Sequence, residues 1–85
     1  MSSRRVALVT GASSGIGAAT VRALSADGFT VIATARRKDR LDELAKSISQ
    51  VEVFAADLTV QSDVDALAAF CEDKNVEVLV NCAGG

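Results

Sequence analysis

Apolar runs and helix-period segments take turns along this chain. Val6-Ala7-Leu8-Val9 is a short, wholly apolar run with β-branched residues at both ends, the pattern of a buried strand. From Gly15 to Ala26 the period changes: Ile16, Ala19, Thr20, Ala23 and Leu24 recur at helical spacing, and Asp27-Gly28 supplies a stop. "TVIATA", Thr30 to Ala35, reads as a second strand and runs into a basic turn, Arg36-Arg37-Lys38. Asp39 is the predicted cap of a second helix, whose apolar face is Leu41, Leu44, Ala45 and Ile48. "VEVFA", Val51 to Ala55, is the third strand. Asp57-Leu58-Thr59 follows as a loop, with Thr59 as the expected N-cap. Val60, Val64, Leu67, Ala68 and Cys71 form the stripe of a third helix, and "VEVLV", Val76 to Val80, is the fourth strand. Asn81-Cys82-Ala83-Gly84-Gly85 turns away from it.

The order is βαβαβαβ, an α/β arrangement that favours parallel pairing with right-handed crossovers. Sheets of this kind bind ligands at the carboxyl ends of their strands. Those ends carry Thr10 to Gly17, Arg36-Arg37, Asp57-Leu58 and Asn81 to Gly84, so the unusual residues converge on one edge.

Composition narrows the field. With 85 residues the chain holds one domain at most, and 49% hydrophobic with 24% charged residues is ordinary for a soluble fold. A net charge of −2 argues against a nucleic-acid-binding surface. No apolar run approaches the roughly 20 residues that span a bilayer. Met1 to Arg5 is basic, but the apolar run behind it is too short for a signal peptide. The expectation is therefore a cytoplasmic protein with no membrane partner. Cys71 and Cys82 have no metal-ligand spacing, and Cys71 is expected on a buried helix stripe. The chain contains no His, Tyr, Trp or Pro, so no Ser-His or Cys-His pair can form within it and no phenolic acid is available.

"TGASSGIG", Thr10 to Gly17, is the richest stretch. A phosphate needs backbone N–H groups aimed at it, no Cβ in the way, and the positive end of a helix. Gly11 is suited to the turn out of the strand, Gly15 to close approach of a pyrophosphate, and Gly17 to close helix–sheet packing. Ser13 and Ser14 offer hydroxyls to ribose or phosphate oxygens. A glycine turn without a ligand is the plain alternative. A Walker P-loop is excluded, because no Gly-Lys-Ser/Thr follows. Gly11 to Gly15 also fits G-x-S-x-G, which would make Ser13 a hydrolase nucleophile, but that reading needs a His and leaves Gly17 and Arg36 unexplained.

The end of the second strand bears on which nucleotide is bound. An acid there would hold the ribose hydroxyls of NAD and repel a 2′-phosphate. Ala35 stands there instead, followed by Arg36, with Arg37 and Lys38 beyond. A guanidinium forks onto phosphate through charge-assisted hydrogen bonds, so NADP is favoured over NAD.

"TGASSGIG", "DL" after the third strand and "NCAG" after the fourth, in that order, resemble the N-terminal part of a short-chain dehydrogenase/reductase, from Val6 to Gly85. The resemblance implies a Rossmann-type doubly wound parallel sheet, of which residues 1–85 are the N-terminal portion of a single NAD(P)-binding domain. It implies that Gly11 to Gly17 bind pyrophosphate and ribose, with Ile16 offering its N–H. It also implies that Arg36 takes the 2′-phosphate, that Asp57 and Leu58 meet the adenine, and that Asn81, Cys82, Ala83 and Gly84 line the ribose. Two positions depart from the family pattern: Cys82 replaces an Asn, and Ser14 stands where many NADP-preferring members carry Lys or Arg, leaving Arg36 to act with help from Arg37. The implied activity is hydride transfer between NADP(H) and a carbonyl or alcohol, with the substrate open among ketones, carrier-bound ketoacyl groups and sugars. The catalytic Ser and Tyr-x-x-x-Lys lie beyond the fourth strand in such enzymes, which are dimers or tetramers. The expectation is thus a cofactor-binding part with no catalytic residue of its own. The alternative is a non-catalytic NADP-binding module or a degenerate fragment.

Overall fold

The computed structural model describes residues 5–82. It contains β1 (Val6–Thr10), α1 (Gly15–Ala26), β2 (Thr30–Ala35), α2 (Lys38–Lys46), β3 (Val51–Ala55), α3 (Gln61–Cys71) and β4 (Val76–Asn81). All pairings are parallel and the strand order is β3-β2-β1-β4. The chain steps outward from β1 to β3 and then returns to the other side of β1. The strand order therefore reverses between β1 and β4, the place where such sheets open a crevice at their carboxyl edge.

Alternation within the strands sorts the two faces. Ala7, Val9, Val31, Ala33 and Ala35 point to one face and pack with Val21 of α1 and Leu41 and Leu44 of α2 into the core. Val51, Val53, Val78 and Val80 border this cluster from the outer strands. The other face carries Leu8, Ile32, Phe54 and Leu79. There Phe54 meets Phe70 of α3 with ring centroids 4.7 Å apart, and Leu67 is buried. No helix among the described residues is long and apolar enough to cross a membrane.

The helix ends show where residue type misleads. The stop after α1 is as predicted: the N–H of Phe29 donates to Leu24 O (3.0 Å), that of Gly28 donates to Ser25 O (3.1 Å), and Gly28 takes the left-handed φ of 95°. Asp39 does not cap α2. Arg37 holds the extended cap conformation, and Asp39, already helical, turns its carboxylate back to the Arg37 guanidinium at 3.4 Å. Thr59 does not cap α3 either, since Val60 occupies that position without a side-chain bond. The Thr59 hydroxyl and N–H both donate to Asp57 Oδ1, at 2.6 and 2.9 Å, closing a tight Asp-centred turn that leaves nothing for the helix. Asp63, in the first turn of α3, accepts from the Asp57 N–H at 2.8 Å and ties the loop to the helix from the other side. β1 and β4 each run one residue past their apolar runs, because Thr10 and Asn81 pair in register.

Candidate functional site

A cleft of about 600 Å³ opens at the carboxyl edge of the sheet. Gly11, Ser13 and Ser14 form one wall, Arg36 and Arg37 the second, and Asp57 and Leu58 the third, with Cys82 at the far side. Residues far apart in the chain therefore meet where the strand ends predicted.

The glycine loop is held by its own backbone. Gly11 has φ 67°, and Ala12, fully buried, donates its N–H to Thr34 O at 3.1 Å, pinning the loop to the end of β2. The Ser14 hydroxyl donates to Gly11 O at 2.8 Å and accepts from the Gly17 N–H at 3.0 Å, which makes Ser14 the N-cap of α1. In this structure that hydroxyl serves the helix start, and Ser14 at the same time lines the cleft. Ser13 makes no such bond among the described residues and faces the cleft. Gly17 permits close packing as expected, but against the loop and not the sheet. A Cβ there would lie 2.1 Å from Gly11 O and 2.8 Å from the Cα of Ala12.

Gly15 and Ile16 open α1 just past the cleft lining, where their N–H groups precede the first intrahelical partners. A Cβ on Gly15 would meet nothing within 4 Å, and Ile16 is 76% exposed, so that side of the helix start is open. Asn81 lies outside the lining. Its Oδ1 accepts from the Thr10 hydroxyl at 2.8 Å, joining β4 to the strand that launches the glycine loop. The Cys82 N–H donates to Thr10 O at 3.0 Å, and its Sγ lies 3.9 Å from Thr20 Oγ1. Ala83 and Gly84 lie outside the described residues.

Charge gathers at the second wall. Arg36 follows β2 with no carboxylate at ion-pair distance among the described residues. Across the cleft, the Thr59 hydroxyl and N–H, helped by the charge of Arg36, hold the Asp57 carboxyl below its ordinary range. Asp57 is therefore a firm anion and acceptor facing the cleft. Away from the site, burial pushes the Cys71 thiol up, so it stays neutral.

Thr34, Ala56, Thr59 and Arg40 also line the cleft and are not among the site residues expected from the sequence. Thr34 had a signal, a polar residue set in an otherwise apolar strand; it is fully buried and its hydroxyl donates to Phe54 O. Arg40 had one too, a further cation close behind the basic turn Arg36-Arg37-Lys38. Ala56 and Thr59 had none beyond their neighbour Asp57.

Similarity to known proteins follows the same outline. The chain matches the family model for short chain dehydrogenase over residues 5–85. It is 46% identical over 84 residues to an uncharacterized oxidoreductase of Staphylococcus haemolyticus, covering 94% of this chain and 36% of that protein. Among solved structures, a short-chain dehydrogenase from Streptomyces avermitilis superposes with a TM-score of 0.85 at 45% identity, covering 96% of this chain and 31% of that one. A metagenomic short-chain oxidoreductase in complex with NADP superposes with a TM-score of 0.88 at 38% identity, covering 95% and 39%. The chain thus spans about a third of the length of these proteins. The glycine loop at the strand-order reversal, the turn at Asp57 and the Thr10–Asn81 link between strand ends all lie within residues 5–85, the stretch that the family model matches: the chain belongs to the short-chain dehydrogenase family of oxidoreductases.

Proposed function

We propose that the protein is an NADP-dependent oxidoreductase that moves a hydride between NADP(H) and a carbonyl or alcohol substrate, these 85 residues supplying dinucleotide binding. The observation that carries the cofactor choice is the end of β2. No acid is there to take the ribose hydroxyls; Ala35 is followed by Arg36 at the rim of the cleft, whose guanidinium has no ion-pair partner among the described residues.

The residues suit the nucleotide. Gly11 to Gly17 would hold the pyrophosphate, with the N–H groups of Gly15 and Ile16 at the positive end of α1 and open space where a Gly15 Cβ would stand. Arg36 would take the 2′-phosphate, with Arg37 beside it. Asp57 and Leu58 would meet the adenine, the ionised carboxylate of Asp57 accepting from its amino group. Asn81, Cys82, Ala83 and Gly84 would line the ribose toward the nicotinamide. Bound there, the nicotinamide supplies the hydride chemistry. The chain has no Tyr and no His, so on this reading proton transfer belongs to the part of the protein that the relatives have and these residues do not span.

Binding of NADPH and NADH to the full-length protein tests the reading, by titration of nicotinamide fluorescence. Arg36→Asp is expected to weaken NADPH by about one to two decades, the worth of one charge-assisted contact, and to spare or improve NADH. An unchanged preference for NADPH in that variant would sink the assignment.

A further inference from the structure

Asp57 is where the chain leaves the sheet for α3. The N–H before it still belongs to the sheet: Ala56 donates to Ala35 O at 2.9 Å. The N–H of Asp57 donates instead to Asp63 Oδ2, at 2.8 Å. The rest of Asp57 is engaged close by. Its carbonyl accepts from the Val60 N–H at 2.9 Å, and its Oδ1 takes both bonds from Thr59. Asp57 Oδ2 and the N–H of Leu58 have no hydrogen-bond partner among the described residues. Both residues line the cleft, so an acceptor and a donor stand side by side at its third wall.

Asp63 is half-buried and does not line the cleft. A carboxylate anywhere in the first turn of a helix is favourable, because the dipole is positive at that end. Asp63 has a narrower use. Val60, the cap residue, offers no side-chain bond, and Asp63 commits an oxygen to an N–H outside the helix, on a residue of the cleft wall. With Thr59 holding the carboxylate and Asp63 the backbone, Asp57 cannot turn without breaking a bond. An Asp57 N–H deprived of this acceptor would have to rotate toward water, and the Asp57 carboxylate with it.

We infer that Asp63 is a positioning residue: by fixing the backbone of Asp57 it sets the direction of the Asp57 acceptor and the Leu58 donor, and so makes the cleft select a 6-aminopurine nucleotide over a 6-oxopurine one. The inference rests on the placement of adenine proposed above and deepens it. Adenine presents an amino donor at C6 and an acceptor at N1, the complement of this pair. Hypoxanthine presents a carbonyl acceptor at C6 and a donor N–H at N1, so each of its groups meets its like. Such a mismatch costs most where the protein groups cannot move. A turn freed from Asp63 lets the carboxylate swing away from the hypoxanthine oxygen, and the two bases come closer in affinity.

NADPH and its deamino analogue, in which hypoxanthine replaces adenine, differ at that edge alone. Both would be titrated by nicotinamide fluorescence into the full-length protein and its Asp63→Ala, Asp63→Asn and Asp65→Ala variants. The wild-type protein is expected to prefer NADPH about tenfold, and Asp63→Ala to lower that preference to about threefold or less. Asp63→Asn keeps a carbonyl acceptor for the Asp57 N–H and should stay within about twofold of wild type. Asp65→Ala removes the exposed bond from Gln61 Nε2 (2.9 Å) on the same helix and should leave the preference unchanged. A preference kept in Asp63→Ala, or lost as fully in Asp63→Asn or Asp65→Ala, overturns the role of Asp63 and leaves the nucleotide reading standing. A wild-type protein that binds NADPH without distinguishing the two bases overturns the adenine placement. One that binds neither overturns the nucleotide reading, and the role of Asp63 falls in both cases. Amide exchange of the wild-type protein needs no variant: the Asp57 N–H should exchange slowly without nucleotide, and the Leu58 N–H should slow only when NADPH is bound. Free exchange at Asp57 in the absence of nucleotide overturns the proposal.

Discussion

The two faces of the sheet are built from the same alternation of apolar residues and end up in different environments. On the face covered by α1 and α2, Ala7, Val9, Val31 and Ala33 are fully buried, as are Val21 and Leu41 above them. On the face that carries α3, Ile32 is equally buried but Leu79 is 65% exposed, and Leu67 is the single buried residue of the helix. The strands tell the same story. β2, an inner strand, buries all but its first residue, whereas β4, at the edge, buries none. Alternation therefore says which residues share a face; the layer lying on that face decides which are dry. The glycine loop is anchored on the dry side, through buried Ala12 and its bond to the end of β2. That is where a phosphate cradle needs its backbone held to fractions of an ångström.

The largest effect expected from this contrast is at Leu41. Leu41→Ala removes a fully buried side chain and should cost about 2–5 kcal/mol in urea unfolding, while Leu79→Ala should cost less than about 0.5 kcal/mol. Similar losses at the two sites would mean that Leu79 is covered in the assembled protein, and the contrast would not survive there. Next comes Gly17→Ala, which drives a methyl into the backbone of Gly11 and Ala12. A cost of about 1–3 kcal/mol is expected, together with loss of nucleotide binding, because the loop must move to admit it. Normal affinity in that variant would mean that the loop tolerates displacement. The smallest is Ser14→Ala, about 1 kcal/mol for a lost N-cap. Its nucleotide affinity separates the two uses of that hydroxyl: a stability loss with affinity nearly kept fits a cap, and the reverse fits a ligand contact.

Much of this was legible in advance. The apolar runs give all four strands and the helical periods all three helices, with strand ends missed by one residue where a polar Thr10 or Asn81 continues the ladder. The strand order is absent from alternation, because which strands become neighbours depends on where the chain turns back over the sheet. The caps were misread for a definite reason. Asp39 and Thr59 are good capping types, but a cap needs extended backbone at that residue, and each side chain found a nearer partner, Arg37 for one and Asp57 for the other. At Ser14 the residue type cannot separate two roles, because capping and phosphate binding ask for the same hydroxyl at the same place. Arg40 escaped because a cation on a helix exterior looks like any solvated surface residue until the opposite wall is known.

The crowding of cations at the start of α2 also bears on how a nucleotide first arrives. These 85 residues carry a net charge of −2, which by itself disfavours a phosphate-rich ligand at long range. Close in, Arg36, Arg37 and Arg40 all line the mouth of the cleft, a local cluster of positive charge that favours an anion there. Since the Debye length is about 8 Å at physiological ionic strength, the distant repulsion is screened in solution while the attraction at the rim persists. On the nucleotide-binding reading proposed above, the encounter of an anionic ligand with this edge is then governed by the local field at the rim and not by the net charge of these residues.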